Sequence, residues 1–156
     1  MKANQIETLP LKDRFKETLE EARVILPGIQ ALFGFQFVAV FNSGFAKLEP
    51  PDQRLHIGAL FLTALSVISS MAPAALHRLA QPDQVSERLV TISSCLLTFG
   101  MAPLAIAIAL DFYIVSNVVL HDLGVSKLLA IALGLLLILT WFIFPWSVRR
   151  HLNESS

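Results

Sequence analysis

His56, Thr63, Ser66, Ser70, His77 and Asp111 are the residues of this chain best suited to pass a proton or hold a small cation. His56, Thr63, Ser70 and His77 follow one another at intervals of seven. Seven residues make nearly two helical turns, so these four share one face and drift by only about 20° per step. Ser66 falls on the same side. From His56 to His77 the line is about 31 Å long, roughly the thickness of a bilayer's hydrocarbon core. Imidazoles change charge near neutral pH, and hydroxyls relay protons when water links them. The hydroxyls stand about 10 Å apart along the helix, so a relay needs intervening water. The competing use of such a face is packing: small polar residues let helices approach closely, with the histidines at the two membrane surfaces.

Asp111 is the one charge between Leu89 and Leu120. Carboxylates inside a membrane are costly and usually functional. Asp52, His56, His121 and Asp122 could join it on the outer side as a cation or pH-sensing site, although their spacing matches no metal motif and loop charges are ordinarily just solvated. On the inner side, Arg23, Gln30 and Gly34 fall near one helix face, where a buried Gln30 would need a partner from a neighbouring helix. Arg23 can reach the lipid headgroups. His77-Arg78 closes the second apolar stretch nearby. No Ser-His-Asp, Cys-His or glycine-rich phosphate pattern is present, so the sequence proposes no enzyme, cofactor or metal. The single cysteine, Cys95, reads as a small packing residue.

The elements that must position these groups are four apolar stretches free of Asp, Glu, Lys and Arg: Val24–Ala46, Leu55–Leu76, Leu89–Leu110 and Leu128–Val148. Each matches the roughly 20 helical residues that cross a bilayer. The chain is 54% hydrophobic with mean hydropathy +0.64, more than one soluble core of this size can hide. Twelve basic residues balance twelve acidic ones, which argues against nucleic acid as a partner. The stretches lack the alternation of barrel strands, so they read as helices. Short connections favour an up-down-up-down four-helix bundle, an all-α membrane protein spanning residues 24–148 with a tail at 149–156. The first stretch is too long for a cleaved signal core and is expected to stay.

Before it, residues 1–23 form a polar segment in which Leu11, Phe15, Leu19 and Ala22 recur at helical spacing. Pro10–Arg23 therefore reads as an amphipathic helix, on the membrane interface or solvated, with Pro27-Gly28 loosening or kinking its junction to span 1. Near the span ends, one side receives Lys2, Lys12, Arg14, Lys16, Arg23, Arg78, Arg88, Arg149 and Arg150, and the other Lys47, Arg54 and Lys127. This asymmetry puts both termini in the cytoplasm. Span 3 must protrude, tilt or break before His121, which leaves the depth of Asp111 open. Thr91, Ser94, Thr98, Ala102, Ala105 and Ala109 in span 3, and Ala130 with Gly134 in span 4, suit close helix approach. Met71-Ala72-Pro73 recurs as Met101-Ala102-Pro103, without similarity in the flanks.

The run Glu21-Ala22-Arg23-Val24-Ile25-Leu26-Pro27-Gly28-Ile29-Gln30-Ala31-Leu32-Phe33-Gly34-Phe35 resembles the opening motif of a family of small bacterial membrane proteins, domain of unknown function 6328. Ala72-Pro73-Ala74-Ala75-Leu76-His77-Arg78 resembles its second, shorter motif. The resemblance covers about residues 18–150. It implies four spans and a bacterial inner membrane, and some relatives are labelled sodium:proton antiporters. It focuses attention on Arg23, Pro27, Gly28, Gln30, Pro73, His77 and Arg78, as an inner functional junction or a hydrogen-bonded helix kink.

Two function classes follow. One is a transporter- or channel-like protein for protons or monovalent cations. The other is a non-catalytic adaptor or accessory subunit that binds another membrane protein. The expected surroundings are the lipid bilayer and, because four helices enclose little space, further copies of the chain in a homo-oligomer.

Overall fold

The computed structural model describes residues 9–80, 82 and 84–154. Residues 1–8, which include Lys2 of the charge asymmetry, and 155–156 of the tail lie outside the described residues. Helix α1 runs Leu11–Ala39, α2 Pro50–Ala80, α3 Glu87–Leu120 and α4 Leu123–Ile138. A π-helical turn, Leu139–Ile143, joins α4 to α5, Phe144–Glu154, and a short 3-10 turn, Phe45–Lys47, lies between α1 and α2. No strand occurs among the described residues. Four helical runs are long and apolar enough to cross a bilayer: Leu11–Ala39, Pro50–Ala80, Glu87–Leu120 and Leu123–Leu152. The protein is an all-α membrane protein with four transmembrane helices.

Local chemistry explains where the helices begin and end. Pro10, expected in the first turn, sits one position earlier as the N-cap of α1. Pro50 and Pro51 open α2, where a missing N–H is harmless. The Ser86 hydroxyl caps α3 by accepting from Leu89 N at 3.2 Å. Asp122 caps α4 with one carboxylate oxygen that accepts from Gly124 N at 2.8 Å and Val125 N at 3.0 Å. Between them, His121 ends α3 in the left-handed conformation, with φ at 52°. Helix α3 therefore does not break early. Its 34 residues reach about 51 Å, and Asp111 lies about 14 Å before its end at the same rise per residue.

Helix α1 continues through Pro27 as one unbroken α-helix. The one departure from α-geometry precedes Pro145. That ring cannot donate to the Trp141 carbonyl and crowds it, and the wider turn over Leu139–Ile143 accommodates the mismatch. Beyond it, the Arg150 guanidinium lies over the Trp146 ring, 3.5 Å from its centroid.

The amphipathic stripe at the start of α1 packs inside the protein. Phe15 is buried with Leu89 and Val90, and Leu11, Leu19, Leu76 and Val85 pack around them. The stripe continues down α1 as a line of buried residues spaced by seven: Phe15, Ala22, Ile29 and Gln36. Helix α2 packs most extensively on α3, and α3 then packs on α4. Helices α2 and α3 come close at Gly100, where a Cβ would stand 3.1 Å from Ser69 Cβ. Gly134 meets Ala109 at the α3–α4 contact, 3.6 Å from a Cβ placed there, as the small-residue spacing suggested. Thr91, Ser94 and Thr98 instead lie exposed. Thr91 and Thr98 turn their hydroxyls back to the carbonyls of Glu87 and Ser94, each at 2.9 Å. Phe35, Phe61, Leu128, Ile131 and Phe144 are exposed, as lipid-facing side chains must be in a membrane protein.

Candidate functional site

The polar residues converge where α1 ends, α2 begins and α3 enters its last third. Gln36 lies in the last turn of α1, whose carbonyls lack helical partners. His56, in the second turn of α2, meets one of them: its Nε2 stands 2.8 Å from the Gln36 carbonyl oxygen. A carbonyl carries no proton, so Nε2 is the donor and the other ring nitrogen holds the remaining chemistry. That nitrogen, Nδ1, faces Asp111 Oδ1 on α3 at 3.5 Å. The side chain of Gln36 completes the triangle, donating from Nε2 to Asp111 Oδ2 at 2.5 Å. Gln36 and His56 are 3% and 7% exposed, while the Asp111 side chain retains 20% exposure.

This geometry counts protons. With Nε2 committed as a donor, a neutral imidazole presents a lone pair at Nδ1. A lone pair facing a carboxylate oxygen is repulsive. The contact becomes attractive when one proton is held between the two groups, either as imidazolium with carboxylate or as imidazole with carboxylic acid. The His56–Asp111 pair is therefore built to carry one exchangeable proton. Gln36 Oε1 is buried with no hydrogen-bond partner, an acceptor left over beside the same carboxylate.

The loop after α1 fits over this site. Phe45 meets the His56 ring edge-on, with centroids 5.3 Å apart. Gln53 holds the loop in place, its Nε2 donating to the carbonyls of Leu48 at 3.0 Å and Phe45 at 3.3 Å. A cleft of about 520 Å³ opens beside the triangle. Gln36, His56 and Asp111 line it together with apolar side chains that include Leu32, Phe35, Ile114 and Val118.

The expected outer cluster thus separates. His56 and Asp111 meet. Asp52 is buried one turn away and accepts instead from Asn117 Nδ2 at 3.0 Å. Asp122 serves as a helix cap, and His121 lies exposed at the end of α3. Inward along α2, Thr63, Ser66 and Ser70 are buried as their spacing implied. Thr63 Oγ1 donates to the Ala59 carbonyl at 3.0 Å, and Ser66 Oγ has no partner. Gly100 presses against this face, 3.4 Å from Ser70 Oγ when a Cβ is placed on it. His77 stacks on Phe15 with centroids 4.9 Å apart, far down α2 from His56.

The inner residues singled out by sequence do not converge. Pro73 is buried and His77 half-buried, but Arg23, Pro27, Gly28, Gln30 and Arg78 are exposed. A Cβ at Gly28 or Gly34 would meet nothing within 4 Å. The buried glutamine of α1 is Gln36 and not Gln30. The signal for it was present in the spacing: Gln36 continues the series of Phe15, Ala22 and Ile29. Asn117 and Phe45 carried no comparable signal.

A four-helix membrane protein with a buried imidazole–carboxylate–carboxamide triangle is the class that fold and site define. The chain belongs to the DUF6328 family, a family of unknown function whose profile matches residues 8–145. It matches no curated protein and no solved structure.

Proposed function

We propose that this protein is a small transporter- or channel-like carrier of protons or monovalent cations in a bacterial inner membrane. Both termini face the cytoplasm, and the protein is no enzyme. The observation that carries this reading is the His56–Asp111 contact, which needs one proton to be attractive and sits beside the unpartnered Gln36 Oε1. A monovalent cation can replace that proton, with the Asp111 carboxylate and the Gln36 carboxamide oxygen as hard oxygen ligands. Inward of the pair, Thr63, Ser66 and Ser70 form a buried polar strip leading toward His77. The unpaired Ser66 hydroxyl on it has capacity for a water.

Purified protein in liposomes with a pH-sensitive dye tests this. Proton flux driven by a sodium or potassium gradient is expected in the wild type, and His56→Gln reduces it at least tenfold. Absence of flux across pH and cation gradients overturns the reading. The double variant Thr63→Val/Ser70→Ala separates a strip used by protons, where flux falls, from one used for packing, where it does not change.

A second reading, a non-catalytic adaptor or accessory subunit that binds another membrane protein, draws support from the exposed face of α1. Arg23, Pro27, Gly28 and Gln30 leave a carboxamide and a backbone surface uncovered there, and carboxamides in membrane helices bond across to other helices.

A further inference from the structure

The cleft beside Asp111 combines two properties that point to one kind of ligand. Its walls are almost wholly apolar, formed by Leu32, Phe35, Ile114 and Val118 among others. Its volume, about 520 Å³, lies within the range of sites that hold small organic molecules. The acidic group of its lining is the Asp111 carboxylate, with 20% of the side chain exposed. No Lys or Arg lines the cleft. An anion would meet that carboxylate with no compensating cation, and a plain hydrocarbon would leave its exposed part without a partner.

We propose that this cleft binds a lipophilic ammonium ion, its N–H donors on the Asp111 carboxylate and its alkyl or aryl body against Leu32, Phe35, Ile114 and Val118. The inference rests on Asp111 being the proton- and cation-exchanging group, and it names the substrate class of that site. The ammonium head neutralises Asp111 in place of the shared proton, so the amine enters as the proton leaves His56–Asp111. The bond broken is the Nδ1–H or Oδ1–H bond that held this proton, which passes to bulk water, and charge balances one for one. Phe35 and Val115, 75% and 59% exposed at the cleft, give an amphiphile a route in from the lipid.

The probe is n-octylammonium, with octanoate as the anionic control. Binding is read by saturation-transfer NMR on the full chain in nanodiscs, against empty nanodiscs. The wild type is expected to bind n-octylammonium above the empty-disc level and to show no excess for octanoate. Asp111→Asn weakens the amine at least tenfold. Val115→Trp, which fills the cleft mouth from a side chain outside the packed interfaces, weakens it likewise. Amine binding no stronger than to empty nanodiscs, binding indifferent to both variants, or equal binding of octanoate overturns the inference. If amine binding is absent while proton flux in liposomes persists, the ammonium assignment fails and the proton carrier stands. If both are absent, both fail.

Discussion

Replacing Asp111 by Asn tests the proton count at the site, because the two side chains have the same shape. In the native triangle Asp111 takes a hydrogen bond from Gln36 Nε2 on one oxygen and faces His56 Nδ1 with the other. A carboxamide keeps both contacts without the extra proton. Its oxygen accepts from Gln36, and its NH2 donates to the Nδ1 lone pair of neutral His56. No charge remains buried, so stability should stay within about 1 kcal/mol of the wild type or rise. Asp111→Leu differs: it leaves the Gln36 amide and His56 Nδ1 unpartnered. At about 1–3 kcal/mol for each orphaned buried group, the loss is about 2–6 kcal/mol. Thermal and denaturant unfolding in detergent measures both stability changes. Liposome proton flux should fall to the empty-liposome level in Asp111→Asn, whose site no longer shares a proton. An Asn variant that still carries protons, or one that unfolds as readily as the Leu variant, would refute the reasoning.

Three further substitutions probe the frame around the site. Gly100→Val forces a branched side chain against Ser69, where a Cβ already stands at 3.1 Å, and should cost about 1–3 kcal/mol by overpacking; an unchanged unfolding midpoint would show that α2 and α3 can separate there at no cost. Phe15→Ala empties the cluster of Leu89 and Val90 and removes the ring stacked on His77. A loss of about 3–5 kcal/mol is expected, with amide exchange accelerating over residues 11–22 ahead of the rest of α1. Ser66→Ala deletes a buried hydroxyl that has no partner, so stability should hold or rise by about 1 kcal/mol, and a marked loss would mean that Ser66 is bonded to a water in the membrane.

The comparison of Gln30 with Gln36 shows how far the sequence could lead. Both are carboxamides in one apolar stretch, six residues apart, which places them about 120° apart around α1. In a soluble helix the polar face would mark the outside and settle which one is buried. In a bilayer the outside is as apolar as the inside, so that signal vanishes. Residues exposed along α1, such as Val24 and Phe35, are as apolar as the buried Ile29. The seven-residue series of Phe15, Ala22, Ile29 and Gln36 was legible, but its apolar members had no reason to stand out from their neighbours. Spacing did find the buried face of α2, because its Thr and Ser residues contrast with the Leu and Ile around them. It also found Gly134 against Ala109.

What the sequence determined alone is the set of helices. Four stretches without charges satisfy their backbone in lipid as helices, and those helices start at Pro10 and Pro50 through proline's fixed φ and missing N–H and at Ser86 and Asp122 through side-chain caps. What only the tertiary structure decided is the rotation of each helix about its own axis, and with it which polar groups meet. That Asp111 finds His56 and Gln36 while Asp52 finds Asn117 depends on contacts between α1, α2 and α3. Those contacts follow from the shapes of three surfaces pressed together, and no single helix period encodes them.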